Sequence, residues 1–401
     1  MPDPTNGSNP LRNPPDFSLV RGGLFLQFLR WAHLSDDIRT NVRRPVIVIA
    51  LLAWLPLLVF SALDGQMLGG SVAVPFLYDV DVHIRLLVAL PLLIIAEVAT
   101  LHRLPLLLQQ FTARHLVPED SMARFEAIVV SASRLRVSVL AEALLIALVY
   151  GVGIMVIWRH FVVLDVATWY ATPSGESSKL TLAGIWYGYV SMPIFQFLLL
   201  RWYWRIFVWA RLLWQVSRIE LSLIPAHPDR AGGLGFLASA WSAFAMLAAA
   251  HGALAAGLIT SRIFFAGATL PQFMYEIVVV VVFMLFLVIG PLLFFAPQLA
   301  EAKRAGLLQY GTLAARYVRE FDTKWLKDGA PANEALVGSA DIQSLADLGT
   351  SYEVVRTMRF TPINMQAAVG LAAATLVPIA PLLLTMIPLN ELLEGLVKII
   401  F

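Results

Sequence analysis

Uncharged hydrophobic stretches long enough to cross a bilayer recur along the whole chain, and nothing else in the sequence limits its fold class as strongly. The clearest lies in segment 275–297, where Ile277-Val-Val-Val-Val-Val-Phe-Met-Leu-Phe-Leu-Val-Ile289 carries no charge. A helix rises about 1.5 Å per residue, so about 20 such residues match a hydrocarbon core about 30 Å thick. Only 14% of the residues are charged, against about 25% in a soluble domain. The expected fold class is therefore all-α: a polytopic helical membrane protein of about seven transmembrane helices with long cytoplasmic helical extensions.

The spans read from hydropathy are 45–63, 84–104, 137–158, 180–200, 235–260, 275–297 and 364–387. Basic residues accumulate in cytoplasmic loops, and their distribution here gives the orientation. Of the 29 Lys and Arg residues, only Arg85, Arg159, Lys179, Arg262 and Lys398 fall on one side, leaving 24 for the other. The N-terminus is thus expected in the cytoplasm and the C-terminus outside, in a bacterial inner membrane. Segment 1–16 is polar and has no apolar stretch followed by a small-residue cleavage site, so no removable signal peptide is expected. The chain divides into that N-terminus (1–16), an interfacial amphipathic helix (17–34), spans one to six (45–297), a cytoplasmic helical region (298–360), and a final span with an outer tail (361–401). Residues Pro91–Ala96 resemble Pro291–Ala296, and the likeness continues at the same offset through Leu107-Leu108-Gln109 and Leu307-Leu308-Gln309. A parallel internal repeat is one explanation; chance in leucine-rich sequence is the other.

The chain has no cysteine, hence neither a disulfide frame nor a thiolate metal site. No metal and no cofactor is expected. A net charge of +2 does not argue for nucleic acid. The expected partners are the lipid bilayer, further copies of the chain in a homo-oligomer, and a cytoplasmic protein.

Ionisable groups inside the membrane are the natural functional candidates, because hydrocarbon excludes them unless they are paired or hydrated. Glu97 in the second span and Glu142 in the third lie at similar depth near the cytoplasmic end. They form either a cation or proton site or ion pairs with an arginine reaching in from the surface, such as Arg103, Arg134 or Arg136. His251 in the fifth span suits proton relay or simple packing. The small residues around it, and those of the seventh span, suit close helix contact. Asp64, Asp79, Asp81 and His83 form an acidic outer entrance. Asp79, Asp81 and His83 alternate, so an extended chain would place them on one face. Arg201 and Arg205, set among tryptophans at the end of the fourth span, are expected to touch lipid headgroups. The loop His227-Pro-Asp-Arg-Ala-Gly-Gly-Leu-Gly235 is either a tight interfacial turn in which Asp229 caps the following helix, or an anion contact through Arg230, Gly232 and Gly233, because its backbone N–H groups precede a helix.

Two functions fit these features. The first is a channel or transporter passing a cation or protons, which predicts a polar path from Asp79 or Asp81 to Glu97 or Glu142. The second is a non-enzymatic membrane scaffold or sensor whose cytoplasmic helices bind a partner, which predicts Glu97 and Glu142 locked in ion pairs. The excess of basic residues does not favour anion passage, since topology alone accounts for it. The chain has no His-Glu-x-x-His, no Gly-x-Ser-x-Gly and no paired Ser/Lys motif, so an enzyme is not expected.

Overall fold

The computed structural model describes residues 42–69, 72–152, 168–174, 177–327 and 337–386. The expected segments 1–16 and 17–34, the end of the third span at 153–158 and the tail from 387 onward lie outside these residues. Helices account for nearly all the regular structure described. In chain order they are α1 (Arg43–Leu63), α2 (Val80–Ala113), α3 (Glu119–Arg136), α4 (Val139–Val152), α5 (Leu182–Val216), α6 (Leu234–Ala266), α7 (Leu270–Lys327), α8 (Ala340–Arg356), α9 (Met365–Leu376) and α10 (Ala380–Met386). Five of them, α1, α2, α5, α6 and α7, are long and apolar enough to cross a membrane. The number rises to seven if each of two bent pairs, α3 with α4 (41°) and α9 with α10 (56°), makes one span. One feature departs from an all-α fold: β1 (Ala171–Ser174) and β2 (Ser177–Leu180) form a short antiparallel hairpin ahead of α5.

Local chemistry explains several helix boundaries. Ser138 caps α4 by accepting from the Ala141 N–H, Thr181 caps α5 through Gly184, and Asn364 caps α9 through Ala367. Proline shapes the interior. A π-turn at Ile84–Ala89 precedes Pro91 in α2, and another at Tyr187–Ser191 precedes Pro193 in α5. A proline ring removes one N–H and crowds the carbonyl four residues back, and a widened turn relieves both. Pro291 instead opens a tighter 3-10 turn, Gly290–Phe295, in α7, where its missing N–H falls in the first turn.

The centre of the molecule is α6, which packs most closely on α9 and α2. A Cβ at Gly252 of α6 would lie 1.9 Å from the Thr375 carbonyl oxygen of α9, and one at Gly370 would lie 2.7 Å from the Trp241 ring. Small residues thus set the α6–α9 distance, as in other close membrane-helix contacts. α9 buries only the stripe Ala367, Leu371 and Thr375. α5 is tied to its neighbours by polar side chains that reach backbone carbonyls. Ser191 Oγ donates to Ala53 O at 2.6 Å, and Trp202 Nε1 donates to Leu93 O at 2.9 Å. Large apolar side chains of α1 and α7 stay outside, among them Ile47, Leu55, Val279 and Phe286. Such bands suit contact with lipid tails.

α7 continues as one helix to Lys327, and α8 folds back against its end. Asp341 holds this corner, accepting from Lys324 Nζ at 2.7 Å and Trp325 Nε1 at 3.0 Å. The hydrogen bond from Lys324 and that from Trp325 keep the Asp341 carboxyl below its usual pKa.

Candidate functional site

Among the described residues, buried charge is concentrated at one point. Arg201 and Arg205 lie four apart on α5, so they stack on one face. Arg201 Nη1 donates to Glu97 Oε2 at 2.8 Å, and its Nε donates to Glu142 Oε1 at 3.0 Å. Arg205 Nη2 donates to the other oxygen of Glu97. Glu97 comes from α2 and Glu142 from the first turn of α4, so one arginine joins three helices. Glu97, Glu142 and Arg201 are each no more than 4% exposed, and Arg205 is 9% exposed. Arg136, also 9% exposed, adds a third guanidinium from the last turn of α3. Helix ends assist: a carboxylate suits the start of α4 and a cation the end of α3.

Of the arginines expected to pair with the two carboxylates, Arg136 alone joins the cluster, and the ion pairs themselves come from Arg201 and Arg205. Those two are buried among helices and not on the surface of the bundle, where a headgroup contact would place them. α5 continues past Leu200 to Val216, and α3 packs against its extension. A hydropathy scan ends the span at Arg201 because it counts each charge alone. The neutralising carboxylates come from residues about 60 and 100 positions away.

The outer acidic group is organised differently from the expectation. Asp79 caps a helical turn, Val80–His83, by accepting from the Val82 N–H, and also accepts from Trp169 Nε1 at 2.9 Å. The chain is helical there, so Asp79, Asp81 and His83 do not share one face. Asp81 pairs with Arg85 at 2.6 Å, and His83 Nδ1 accepts from Trp54 Nε1 at 3.2 Å. Asp64 is exposed at the end of α1. Between Asp81 and Glu97 the helix face is filled by the fully buried Leu86, Ala89, Leu90 and Leu93. Among the described residues no group of His, Cys, Asp or Glu could hold a metal ion.

His251 lies apart from the charge cluster. Its Nδ1 is 2.8 Å from Leu247 O, and its Nε2 is 2.9 Å from Tyr203 Oη. The carbonyl can only accept, so Nδ1 carries the proton and Nε2 accepts from the tyrosine. The ring edges an open cleft of about 560 Å³ between α5, α6 and α7, which also takes in Arg85, Gln196, Arg262 and Glu276.

The glycine loop before α6 holds an anion of its own chain. The Asp229 carboxylate accepts from the N–H groups of Ala231, Gly233 and Gly235 at 2.8, 3.2 and 2.8 Å. Arg230 and Gly232 adopt positive φ to make this turn. The backbone donors that sequence reading offered to an external anion are therefore occupied. Partial burial opposes ionisation of Asp229, but these three N–H donors and the nearby His227 outweigh it and hold its pKa below the usual value. A carboxyl with a depressed folded-state pKa stabilises the fold above its unfolded pKa, about 3.9, and loses that contribution as pH falls through the folded value. Asp229→Ala is expected to raise amide hydrogen exchange at residues 231, 233 and 235 at neutral pH by at least tenfold; unchanged exchange there would count against this role.

Comparison with known proteins yields no match to a family model, to a curated relative or to a solved structure. The site is read from its own geometry.

Proposed function

We propose that the protein is a non-enzymatic membrane scaffold or sensor of the inner membrane, with its N-terminus in the cytoplasm and the α7–α8 hairpin presented there to a protein partner. The observation that carries this reading is the pairing of both intramembrane carboxylates with Arg201. A carboxylate that accepts from guanidinium groups has little affinity left for a passing cation, because transfer would break a buried pair at a cost of about 3–5 kcal/mol. The apolar packing between Asp81 and Glu97, about 24 Å along α2, supports the same reading. The orientation rests on the distribution of basic residues. The partner role rests on the hairpin, where Leu308, Leu313 and Val318 are exposed on a helix extending beyond the bundle. The unburied face of α9, with Met365 and Val369, is where a second copy of the chain would dock.

The second reading, passage of a cation or protons, draws on the cleft beside His251, where Glu276 and Gln196 offer a polar route on the outer half of the bundle. Flux assays separate the two. Proteoliposomes holding the native chain are expected to show no H⁺, K⁺ or Na⁺ flux above empty vesicles under gradients of either sign. Flux that vanishes in a folded Glu97→Gln/Glu142→Gln variant would overturn the scaffold reading in favour of transport.

A further inference from the structure

Beside the ion pairs lies a cavity of about 50 Å³, enclosed by α2, α3, α5 and α6. Arg136, Arg205, Trp209, Thr100, Ser133 and Phe244 are among its lining residues. Three of these carry buried donors with no acceptor. They are Nη1 of Arg136, Nε and Nη1 of Arg205, and Nε1 of Trp209. The other polar groups around the cavity are already engaged. Thr100 Oγ1 donates to the Ala96 and Glu97 carbonyls, and Ser133 Oγ donates to Val129 O. Trp202 Nε1 donates to Leu93 O.

Every orphaned group on these three residues is an N–H donor, and none is an acceptor. Buried donors left unpaired are costly, more so when charged. What completes them must accept several hydrogen bonds. Water can meet part of this demand, its hydrogens going to the free lone pairs of Thr100 Oγ1 and Ser133 Oγ, but it brings no charge to set against the guanidinium groups. Among the described residues, the guanidinium groups of Arg136, Arg201 and Arg205 gather around the Glu97 and Glu142 carboxylates, a setting that favours a negative group beside them. A single water needs about 10–15 Å³ of cavity space, so a cavity of about 50 Å³ has room for one small anionic group and accompanying water but not for a whole organic substrate.

We propose that Arg136, Arg205 and Trp209 form a binding site for one small monovalent anion, a halide or a single phosphodiester oxyanion of a lipid headgroup. The two sources share one chemistry: a compact negative oxygen or halide that accepts from two guanidinium groups and an indole. The site rests on these residues alone and does not depend on the partner role of the hairpin. It binds the ion in place; the apolar stretch of α2 toward the outer surface gives it no onward route.

The test uses the full-length protein, purified in detergent and exchanged into sodium gluconate. Sodium bromide is titrated at constant ionic strength while Tm is followed, and bound phospholipid is counted by phosphorus assay and native mass spectrometry. A ligand that binds only the folded state raises Tm in a saturable way. The expected result is a saturable rise with bromide, lost in Arg136→Gln and weakened at least fivefold in Trp209→Phe. Alternatively, one phospholipid per chain is retained by the native protein and lost from both variants, with no response to bromide; this supports the site and assigns it to a headgroup. Trp209→Phe removes one N–H and keeps an aromatic ring, so it carries the test if Arg136→Gln does not fold. Neither a bromide response nor a retained lipid in the native protein would overturn the proposal. So would a response of the same size in the native protein and Trp209→Phe.

Discussion

Glu97→Gln is expected to lower the stability of the protein in lipid micelles by about 3–5 kcal/mol, the cost typical of removing one partner from a buried ion pair. The Glu97 carboxylate accepts from two guanidinium groups, those of Arg201 and Arg205. A neutral amide removes the carboxylate that Arg205 pairs with and one of the two that Arg201 pairs with, Glu142 being the other. Glu142→Gln removes one contact of Arg201 and leaves its bond to Glu97 intact, so it should cost markedly less. The order matters more than either value. Reversible unfolding in mixed micelles, followed by Trp fluorescence, measures both. An effect of Glu142→Gln equal to or larger than that of Glu97→Gln would mean that the two carboxylates are not arranged as described.

Gly252→Ala is expected to have the next largest effect, through packing. The added methyl would lie 1.9 Å from the Thr375 carbonyl oxygen, well inside any real contact. Backbone cannot swing aside as a flexible side chain can, so α9 must shift as a unit. Overpacking of a tight core costs about 1–3 kcal/mol, occasionally more, and here it acts on a helix whose buried face is only Ala367, Leu371 and Thr375. The chain has no cysteine, so a cysteine pair engineered across α6 and α9 reports their distance by its rate of oxidative cross-linking. That rate should fall at least tenfold in Gly252→Ala. Gly349→Ala is the control: it meets nothing within 4 Å on α8, and alanine is the better helix former by about 1 kcal/mol. Equal cross-linking in the native protein and Gly252→Ala would show that α9 does not rely on this contact.

What the sequence made legible was whatever depends on neighbours along the chain. Spans of apolar residues show in a hydropathy scan, and α1, α6 and the apolar part of α7 fall where the scan places them. The start of α3 at Glu119, just after Pro118, follows from proline geometry and the preference of acidic groups for a helix N-terminus. Glu97 and Glu142 stood out because carboxylates are rare in hydrocarbon. Their partners did not, because Arg201 and Arg205 read as a boundary until three helices are brought together. The error on Asp79, Asp81 and His83 was one of period: alternation puts residues on one face only in extended chain, and Asp79 caps a helical turn instead. In the glycine loop the capping role open to Asp229 could be read from the sequence, but not that its carboxylate takes three N–H groups of the turn. The orphaned donors of Arg136 and Trp209 are legible only in three dimensions, since an unmet bond has no signature in sequence.

The continuous course of α7 carries a mechanical consequence. Its final 30 residues, from Gln298 to Lys327, lie past the apolar stretch and extend about 45 Å at a rise of about 1.5 Å per residue. Its base is tied to the bundle: Gln298 Nε2 donates to Ser217 O and Ile219 O, and Lys303 Nζ donates to Met358 O. A tilt of about 5° within the bilayer, well inside the range open to spanning helices, would sweep the far end through about 4 Å. A change of tilt forced by membrane thickness would thus reach the α8 corner as a displacement comparable to the width of a backbone, carried through the contacts at Gln298 and Lys303.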